Sequence, residues 1–212
     1  MPSDQLVLST AFFPPAAYFA EIARAREVLI EAHEHYVKQS YRNRCYIYGA
    51  NGILRLTIPV SHGKGEHTPV SEIRLDNSYD WRKMLWKSIQ TAYRTSPFFE
   101  YYEDQLLPVF MQDEDFLFPW NQALLTLCLR LLEINTPVHT TESYIPEYPA
   151  DVRDLRRIHP KGASRGLVLE PLAHTPYPQV FSGTHGYIAG LSILDMLFHV
   201  GPRTGDQLLI RD

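Results

Sequence analysis

The chain has 212 residues, of which 45% are apolar and 21% are charged, and its formal net charge is −4. This length and balance predict one globular domain over residues 1–212, and the negative charge argues against a nucleic-acid-binding protein. The sequence shows neither an apolar run of membrane-spanning length nor a basic leader, so we expect a soluble cytoplasmic protein with no membrane partner. Cys45 and Cys128 lie in apolar patterns, which indicates buried thiols rather than a disulfide.

The first 35 residues alternate short apolar runs with one amphipathic stretch. Residues 6–9 are typical of a strand, and residues 16–26 repeat apolar side chains at helical spacing after Pro15, which suits a first helical turn. Residues 28–30 open a second strand that runs on into Glu31, His33 and His35.

These three polar residues alternate along the predicted strand and would point to one side. A carboxylate with two imidazoles suits metal binding or acid–base chemistry. However, no second group of ligands stands at a recognisable spacing. The pattern therefore favours an edge strand with its polar side in water. No metal-site residue is assigned, metal binding by these three residues stays open, and the cofactor is unknown.

The pair Asn51-Gly52 lies between two runs of β-branched and aromatic residues and predicts a two-residue type I′ hairpin turn. This turn would place Ile47 opposite Leu56 and Cys45 opposite Ile58 on an apolar face. The other face would be cationic and aromatic, with Arg42, Arg44, Tyr46, Tyr48 and Arg55. Such a face suits a phosphate or carboxylate, but a solvated face with arginine stacked on tyrosine or paired with glutamate is an equally open alternative.

The middle of the chain is mainly helical by its apolar spacing. Residues 61–69 are typical of a flexible loop that lacks the Walker spacing, although a mobile lid with His62 and Lys64 stays open, and residues 70–75 alternate as a third strand. Helices are predicted over 79–95, from the cap Ser96-Pro97 to a kink or end at Pro108, and over 119–135.

The C-terminal third contains a second basic cluster and a final helix. Residues 150–158 are predicted as a short helix, and residues 167–169 as a last strand. Ser192 begins the final helix with Asp195 three residues later, a start that resembles a capping box and makes Asp195 first of all a helix-terminus residue. The basic cluster suits an anionic head group, although a solvated helix face is the favoured interpretation; its members are Arg156, Arg157, His159, Lys161 and Arg165.

Together these elements predict an α+β fold: a small antiparallel sheet with a central hairpin, packed by several α-helices.

Several segments carry a family resemblance in order along the chain: FPPAAYFAEI, HYVKQSYRNR, LTIPV, WRKMLWKSIQTAYRTSPFFEYY, and YPQVF with LSILDMLFHVG. They resemble the WbqC-like protein family, which implies a single WbqC-like domain of a bacterial protein. The family name comes from bacterial surface-polysaccharide gene clusters, so the resemblance implies the handling or modification of nucleotide-linked sugars. Many relatives have an acidic residue before the Tyr-x-Lys segment and Asn ahead of Gly in the final helix, where this chain has Glu31, His33, Glu34 and His199.

Two classes of function follow as hypotheses. The first is a transferase that acts on an activated anionic substrate, either a nucleotide sugar or an aminoacyl-like molecule, with His35 or Asp195 as general base. The second is a non-catalytic protein that binds an anion or another ligand, or a scaffold that oligomerises through its aromatic surface. The sequence predicts neither the reaction nor the oligomeric state. The expected substrate-binding residues are Tyr36, Lys38, Arg42, Asn43, Arg44, Trp86 and Tyr93.

Overall fold

A computed structural model describes residues 5–61, 67–160 and 176–209. The strands are β1 Gln5–Ser9, β2 Glu27–Glu31, β3 Arg44–Gly49, β4 Gly52–Thr57, β5 Val60–Ser61, β6 Arg74–Leu75, β7 Val138–Thr140 and β8 Arg153–Asp154. The helices are α1 Ala16–Arg24, α2 Trp81–Tyr93, α3 Phe99–Phe110, α4 Leu117–Leu131, α5 Ser182–His185, α6 Ile193–Val200 and α7 Thr204–Leu209. Lys161, Arg165, the predicted strand at 167–169 and the possible lid residues His62 and Lys64 lie outside the described residues.

The centre of the fold is a four-stranded sheet in the order β7-β2-β1-β8, and all of its strand pairs are parallel. Parallel neighbours need a crossover, which α1 supplies between β1 and β2. The predicted α+β fold around a small antiparallel sheet is therefore wrong, and the chain has an α/β fold with two small antiparallel sheets beside the parallel one. Strands β7 and β8 have only three and two residues, which is too short for a pattern that local sequence could show.

The hairpin of β3 and β4 exists, but its turn is one residue earlier than predicted. Gly49 pairs with Gly52, so Ile47 lies opposite Leu54 and Cys45 opposite Leu56. In this turn Gly52 has a φ of 96°, whereas Ala50 and Asn51 keep negative φ. A type I′ turn needs positive φ at both central residues, so this turn belongs to the class that ends on a left-handed glycine.

The apolar face of the hairpin survives this shift, because the pairing moves by an even number of residues and each side chain keeps its side. Cys45, Ile47, Leu56 and Ile58 are all at most 2% exposed. The opposite face is less open than predicted. Tyr48 is fully buried beneath the 176–188 segment, and its hydroxyl donates to the backbone carbonyls of Phe181 and Gly186.

The helices at α1, α2, α4 and α6 confirm the predicted elements within a few residues at their ends. Of the predicted kink or end at Pro108, α3 does not show the end, since it continues to Phe110. Two predictions in other regions are wrong. Residues 70–75 form a 3-10 turn and the two-residue β6 in place of a full strand. Residues 150–158 contain β8 and no helix.

Aromatic side chains fill the space between the helices and the sheet. Trp81, Trp120, Phe12 and Phe110 are fully buried or nearly so, and the Phe110 and Trp120 ring centroids lie 5.2 Å apart. Cys45 and Cys128 are each 1% exposed and free, as predicted. Within the described residues, no helix combines the length and the apolar character needed to cross a membrane.

Candidate functional site

The carboxyl ends of the four parallel strands meet at one edge of the sheet, and polar residues are concentrated there. Ser9 ends β1, Glu31 ends β2, Thr141 follows β7, and Asp154 ends β8. The chain adds β2 and then β7 on one side of β1, and then returns to place β8 on the other side. Ligands of parallel α/β sheets bind outside the carboxyl ends of the strands, where the strand order reverses in this way.

Arg42 reaches this edge from the loop between β2 and β3. It is 4% exposed and forms a two-bond ion pair with Glu34, with Nε 3.0 Å from Oε1 and Nη2 2.7 Å from Oε2. Its Nη2 also donates to Ser9 Oγ at 2.9 Å. The guanidinium therefore joins the loop to the end of β1.

Arg156 forms the matching group beyond β8. Its Nε and Nη2 donate to the two carboxylate oxygens of Asp154 at 2.9 and 2.6 Å, and its Nη1 lies 3.2 Å from Oε2 of the fully buried Glu31. Ser9 Oγ donates to the Arg156 carbonyl oxygen, so one hydroxyl connects both ion pairs. We call this group the edge network, and its residues are Ser9, Glu31, Glu34, Arg42, Asp154 and Arg156.

A cavity of about 230 Å³, the edge pocket, opens beside the edge network. It brings together residues that the sequence placed in two separate basic clusters. Its wall includes Glu34, Arg42, Tyr144, Arg156, Arg157 and His159. Arg157 is exposed and has no hydrogen bond or ion pair with any described residue. The two buried arginines carry carboxylate partners, so Arg157 is the cation of this wall that is placed to meet a ligand.

The pKa values of the two carboxylates in the pocket wall shift in opposite directions. Burial raises the pKa of Glu34 above its usual value, and the charge of Arg42 opposes this effect without cancelling it. Burial would also raise the pKa of Asp154, but its hydrogen bonds to Arg156 hold that pKa below the usual value. Asp154 is therefore a fixed negative charge, whereas Glu34 is suited to accept and release a proton.

Of the predicted binding residues, only Arg42 lies in the wall of the edge pocket. Tyr36 is half-buried, and burial raises its pKa to about 12 although the charges of Arg42 and Arg44 oppose this. Lys38 is exposed on the same loop. Asn43 is buried and its Nδ2 donates to the Ile58 carbonyl at 3.0 Å, where it holds the base of the hairpin together.

Asp195 and Tyr93 lie in a different, buried cluster at the start of α6. The Asp195 carboxylate is fully buried and accepts hydrogen bonds from Tyr93 at 2.9 Å, Tyr177 at 2.8 Å and Gln179 at 2.7 Å. His199 Nε2 accepts from the Val180 N–H, so its Nδ1 carries the proton and donates to the Asp195 carbonyl. These contacts, the Asp195 network, attach the 176–188 segment to α6.

The remaining candidates lie apart from both groups. His35 is exposed, with its Nδ1 3.4 Å from Nδ1 of His67. Trp86 is 3% exposed and packs on Phe110 with ring centroids 5.2 Å apart.

The predicted alternation of Glu31, His33 and His35 does not bring three ligands together. β2 ends at Glu31, whose Oε1 accepts from the His33 backbone N–H, and the His33 ring contacts the Thr141 carbonyl. Among the described residues, no group of three or more His, Cys, Asp or Glu side chains has a metal-binding arrangement.

Sequence reasoning missed Glu34, Asp154 and Tyr144 as site residues. Glu34 lies in the HEHY run, where the alternating pattern draws attention to the two histidines and not to the glutamate between them. Asp154 and Tyr144 have no local signal, because they meet Arg42 only when β8 pairs with β1. The sequence contains one clue to this part of the site, the basic Arg156-Arg157 pair, but its spacing favours a solvated helix face.

The sequence model of the WbqC-like protein family matches residues 10–160, from the end of β1 to the last residues of the pocket wall. The chain is also 24% identical over 226 residues to the "Uncharacterized protein Rv1507c" of Mycobacterium tuberculosis (strain ATCC 25618 / H37Rv), covering 95% of this chain and 96% of that protein. No solved structure matches the chain.

Proposed function

This chain belongs to the WbqC-like protein family, and on that premise we propose that it is a transferase that binds an activated anionic substrate in the edge pocket. Either a nucleotide sugar or an aminoacyl-like molecule fits this description, and the family name associates the activity with surface-polysaccharide metabolism. The observation that carries the proposal is the position of Arg42, Arg156 and Arg157 in one pocket wall, where the strand order of a parallel sheet reverses.

Each wall residue has a distinct role in this proposal. Arg157 binds the anion directly, and His159 lies beside it in the wall. Arg42 and Arg156 hold the carboxylates in place and give the pocket a fixed electrostatic field. Lys38 and Tyr36, on the loop that leads to Arg42, meet the part of the substrate outside the cavity.

We assign the proton transfer to Glu34, because its carboxyl lines the pocket and burial raises its pKa toward neutrality. His35 is the second candidate, since it is exposed on the same loop. Asp195 is fully buried and bonded to three side chains, so we assign it to the structure of the C-terminal segment.

A non-catalytic anion-binding protein is the second candidate function, and one observation favours it. The guanidinium groups of Arg42 and Arg156 are each paired with a carboxylate through two bonds. Such pairs hold a fold together without any chemistry. This candidate predicts binding without turnover.

The test has a binding stage and a turnover stage. Thermal unfolding is measured with nucleotide sugars, nucleotides and aminoacyl nucleotides, since a ligand of the folded state raises the melting temperature by mass action. Arg157→Gln should remove the shift, whereas Arg130→Gln, which changes an exposed arginine on α4, should preserve it. If none of these ligands raises the melting temperature of the wild-type protein, the proposal is wrong.

Turnover is then followed, with hydroxyl and amine acceptors added, as release of the leaving nucleotide: the acceptor forms the new bond to the transferred group and gives its proton to the base, and the bond to the nucleotide breaks. Glu34→Gln removes the charge paired with Arg42, so its thermal midpoint is measured first. If the variant is folded, it should abolish release while binding persists, and His35→Ala should leave a measurable rate. Loss in His35→Ala alone would instead identify the histidine as the base. Binding without release by the wild-type protein would favour the non-catalytic candidate.

A further inference from the structure

We infer that the edge pocket takes a nucleotide, with the planar base stacked on Tyr144 at the pocket mouth and the phosphate at Arg157. This inference rests on the proposed function and selects the nucleotide-linked class of substrate over the aminoacyl-like class. It depends on three features of the described residues: an exposed aromatic ring, the contacts of that ring, and an exposed cation in the same pocket wall that forms no ion pair with a described carboxylate.

The mouth of the edge pocket exposes apolar surface from two separate segments. Tyr144 is 50% exposed and Val37 is 44% exposed, and both line the pocket. Large apolar side chains left in water at the mouth of a cavity are typical of ligand-binding sites. A tyrosine ring there offers a flat surface on which a base can stack.

The edge network holds the Tyr144 ring in position. The Arg156 guanidinium lies over this ring, 5.4 Å from its centroid. Arg156 also donates to the backbone carbonyls of Ile145 at 2.8 Å and Pro146 at 3.3 Å. Because Asp154 and Glu31 hold Arg156 itself, the ring lies against a cation that is already in place, which lowers the ordering entropy that stacking would cost.

The charges place the anion of the ligand at Arg157. Arg42 forms an ion pair with Glu34, and Arg156 forms ion pairs with Asp154 and Glu31. The exposed Arg157 forms no ion pair with a described carboxylate, although its charge contributes to the lowered pKa of Asp154.

The size of the cavity agrees with a ligand whose phosphate lies inside the cavity and whose base lies at the rim. Its volume of about 230 Å³ is below the roughly 300 Å³ at which whole-ligand pockets begin. The cavity therefore holds a compact charged group, and the ring lies on the rim. A phosphate joined to a planar heterocycle has this shape.

Isothermal titration calorimetry with UDP, ADP and inorganic pyrophosphate tests the inference. Tyr144→Leu removes the ring, Tyr144→Phe keeps it, and Tyr101→Leu changes a comparably exposed tyrosine on α3 as the matched control. Arg157→Gln and Arg130→Gln form the second matched pair. All four positions are exposed, so the five variants should fold, and a thermal midpoint for each one verifies this.

We expect Tyr144→Leu to weaken UDP and ADP binding by about tenfold, as loss of one base stack does, and Tyr144→Phe to stay within about twofold. Pyrophosphate binding should be unchanged in both Tyr144 variants. Arg157→Gln should weaken UDP and pyrophosphate alike, whereas Tyr101→Leu and Arg130→Gln should bind as the wild-type protein does.

Two results would overturn the inference and leave the proposed function intact. In one, pyrophosphate binds as tightly as UDP and Tyr144→Leu changes neither. In the other, Tyr101→Leu weakens UDP binding as much as Tyr144→Leu does. If the wild-type protein binds no nucleotide, pyrophosphate or aminoacyl ligand, the proposed function fails together with the inference.

Discussion

Arg42 is a residue of the type that usually stays in water, and this fold buries it. The structure satisfies its guanidinium with Glu34 and Ser9 and leaves it 4% exposed. Removing one member of a buried ion pair leaves the other charge without compensation. We therefore predict that Arg42→Ala lowers the free energy of unfolding by about 3 kcal/mol or more at pH 7, as measured by urea denaturation.

The matched control is Arg55→Ala, at an exposed position of β4 in the same hairpin. Its free energy of unfolding should stay within about 0.5 kcal/mol of the wild-type value, as for most surface substitutions. A loss below about 1 kcal/mol in Arg42→Ala would show that the ion pair adds little to the fold. Arg42 would then be free to serve a ligand.

A substitution at Gly52 tests the backbone conformation of the turn without disturbing its packing. Gly52 has a φ of 96°, and a Cβ built there meets no atom within 4 Å. Only the strained backbone should therefore oppose a side chain, and Gly52→Ala should destabilise the protein by about 1 kcal/mol. Gly183→Ala is the control, since a Cβ there is equally unobstructed and no positive φ is required. Equal effects in urea denaturation would contradict the turn geometry.

At the scale of elements, the Asp195 network attaches the 176–188 segment to α6 and to the hairpin. Asp195→Ala leaves the hydroxyls of Tyr93 and Tyr177 and the Gln179 amide without their acceptor inside the protein. Unsatisfied buried groups of this kind cost about 1–3 kcal/mol each. We predict that the segment detaches, so that limited proteolysis cuts within residues 176–190 of Asp195→Ala before any other site.

The control for this experiment is Asp206→Ala, at an exposed position in the first turn of α7. Its cleavage pattern should equal that of the wild-type protein. If Asp195→Ala resists the protease equally well, the segment is held by packing alone. That result would favour a catalytic role for Asp195, because the carboxylate would not be needed for structure.

At the scale of the whole molecule, buried tyrosines predict how stability depends on alkaline pH. Burial raises the pKa of Tyr36, Tyr41 and Tyr102 to about 12, whereas an unfolded chain loses these protons near 10. The folded state thus binds more protons than the unfolded state between these values, and its stability must fall as pH rises. Burial also raises the thiol pKa values of Cys45 and Cys128, so the urea midpoint should begin to decrease above about pH 8.5 and should decrease more steeply above about 10, where the tyrosines contribute.

The variant that tests this linkage is Tyr41→Phe, which removes one of the raised pKa values and keeps the ring. Its urea midpoint should fall less steeply above pH 10 than that of the wild-type protein. Tyr79→Phe, at an exposed position before α2, should follow the wild-type slope. Identical slopes for all three proteins would show that the alkaline transition has another origin.

The elements that sequence reasoning predicted well are those whose signal is local. The apolar spacing of α1 and α2, the cap at Ser192 and the alternation of β3 with β4 each lie within a short window. The type of turn was wrong, because an Asn-Gly pair fits two hairpin geometries and only the backbone angles separate them. Local sequence patterns could not predict the edge pocket, since Arg42 and Arg156 are 114 residues apart in the chain.

The sequence by itself determined the family, the helices α1, α2, α4 and α6, the apolar face of the hairpin and the burial of both cysteines, because these depend on neighbouring residues. The tertiary structure alone decided that the sheet is parallel, that β8 returns beside β1, and that two basic clusters share one pocket. Parallel pairing is a long-range contact between short strands that are partly polar. Its stability comes from burial by the whole fold, and no local pattern encodes it.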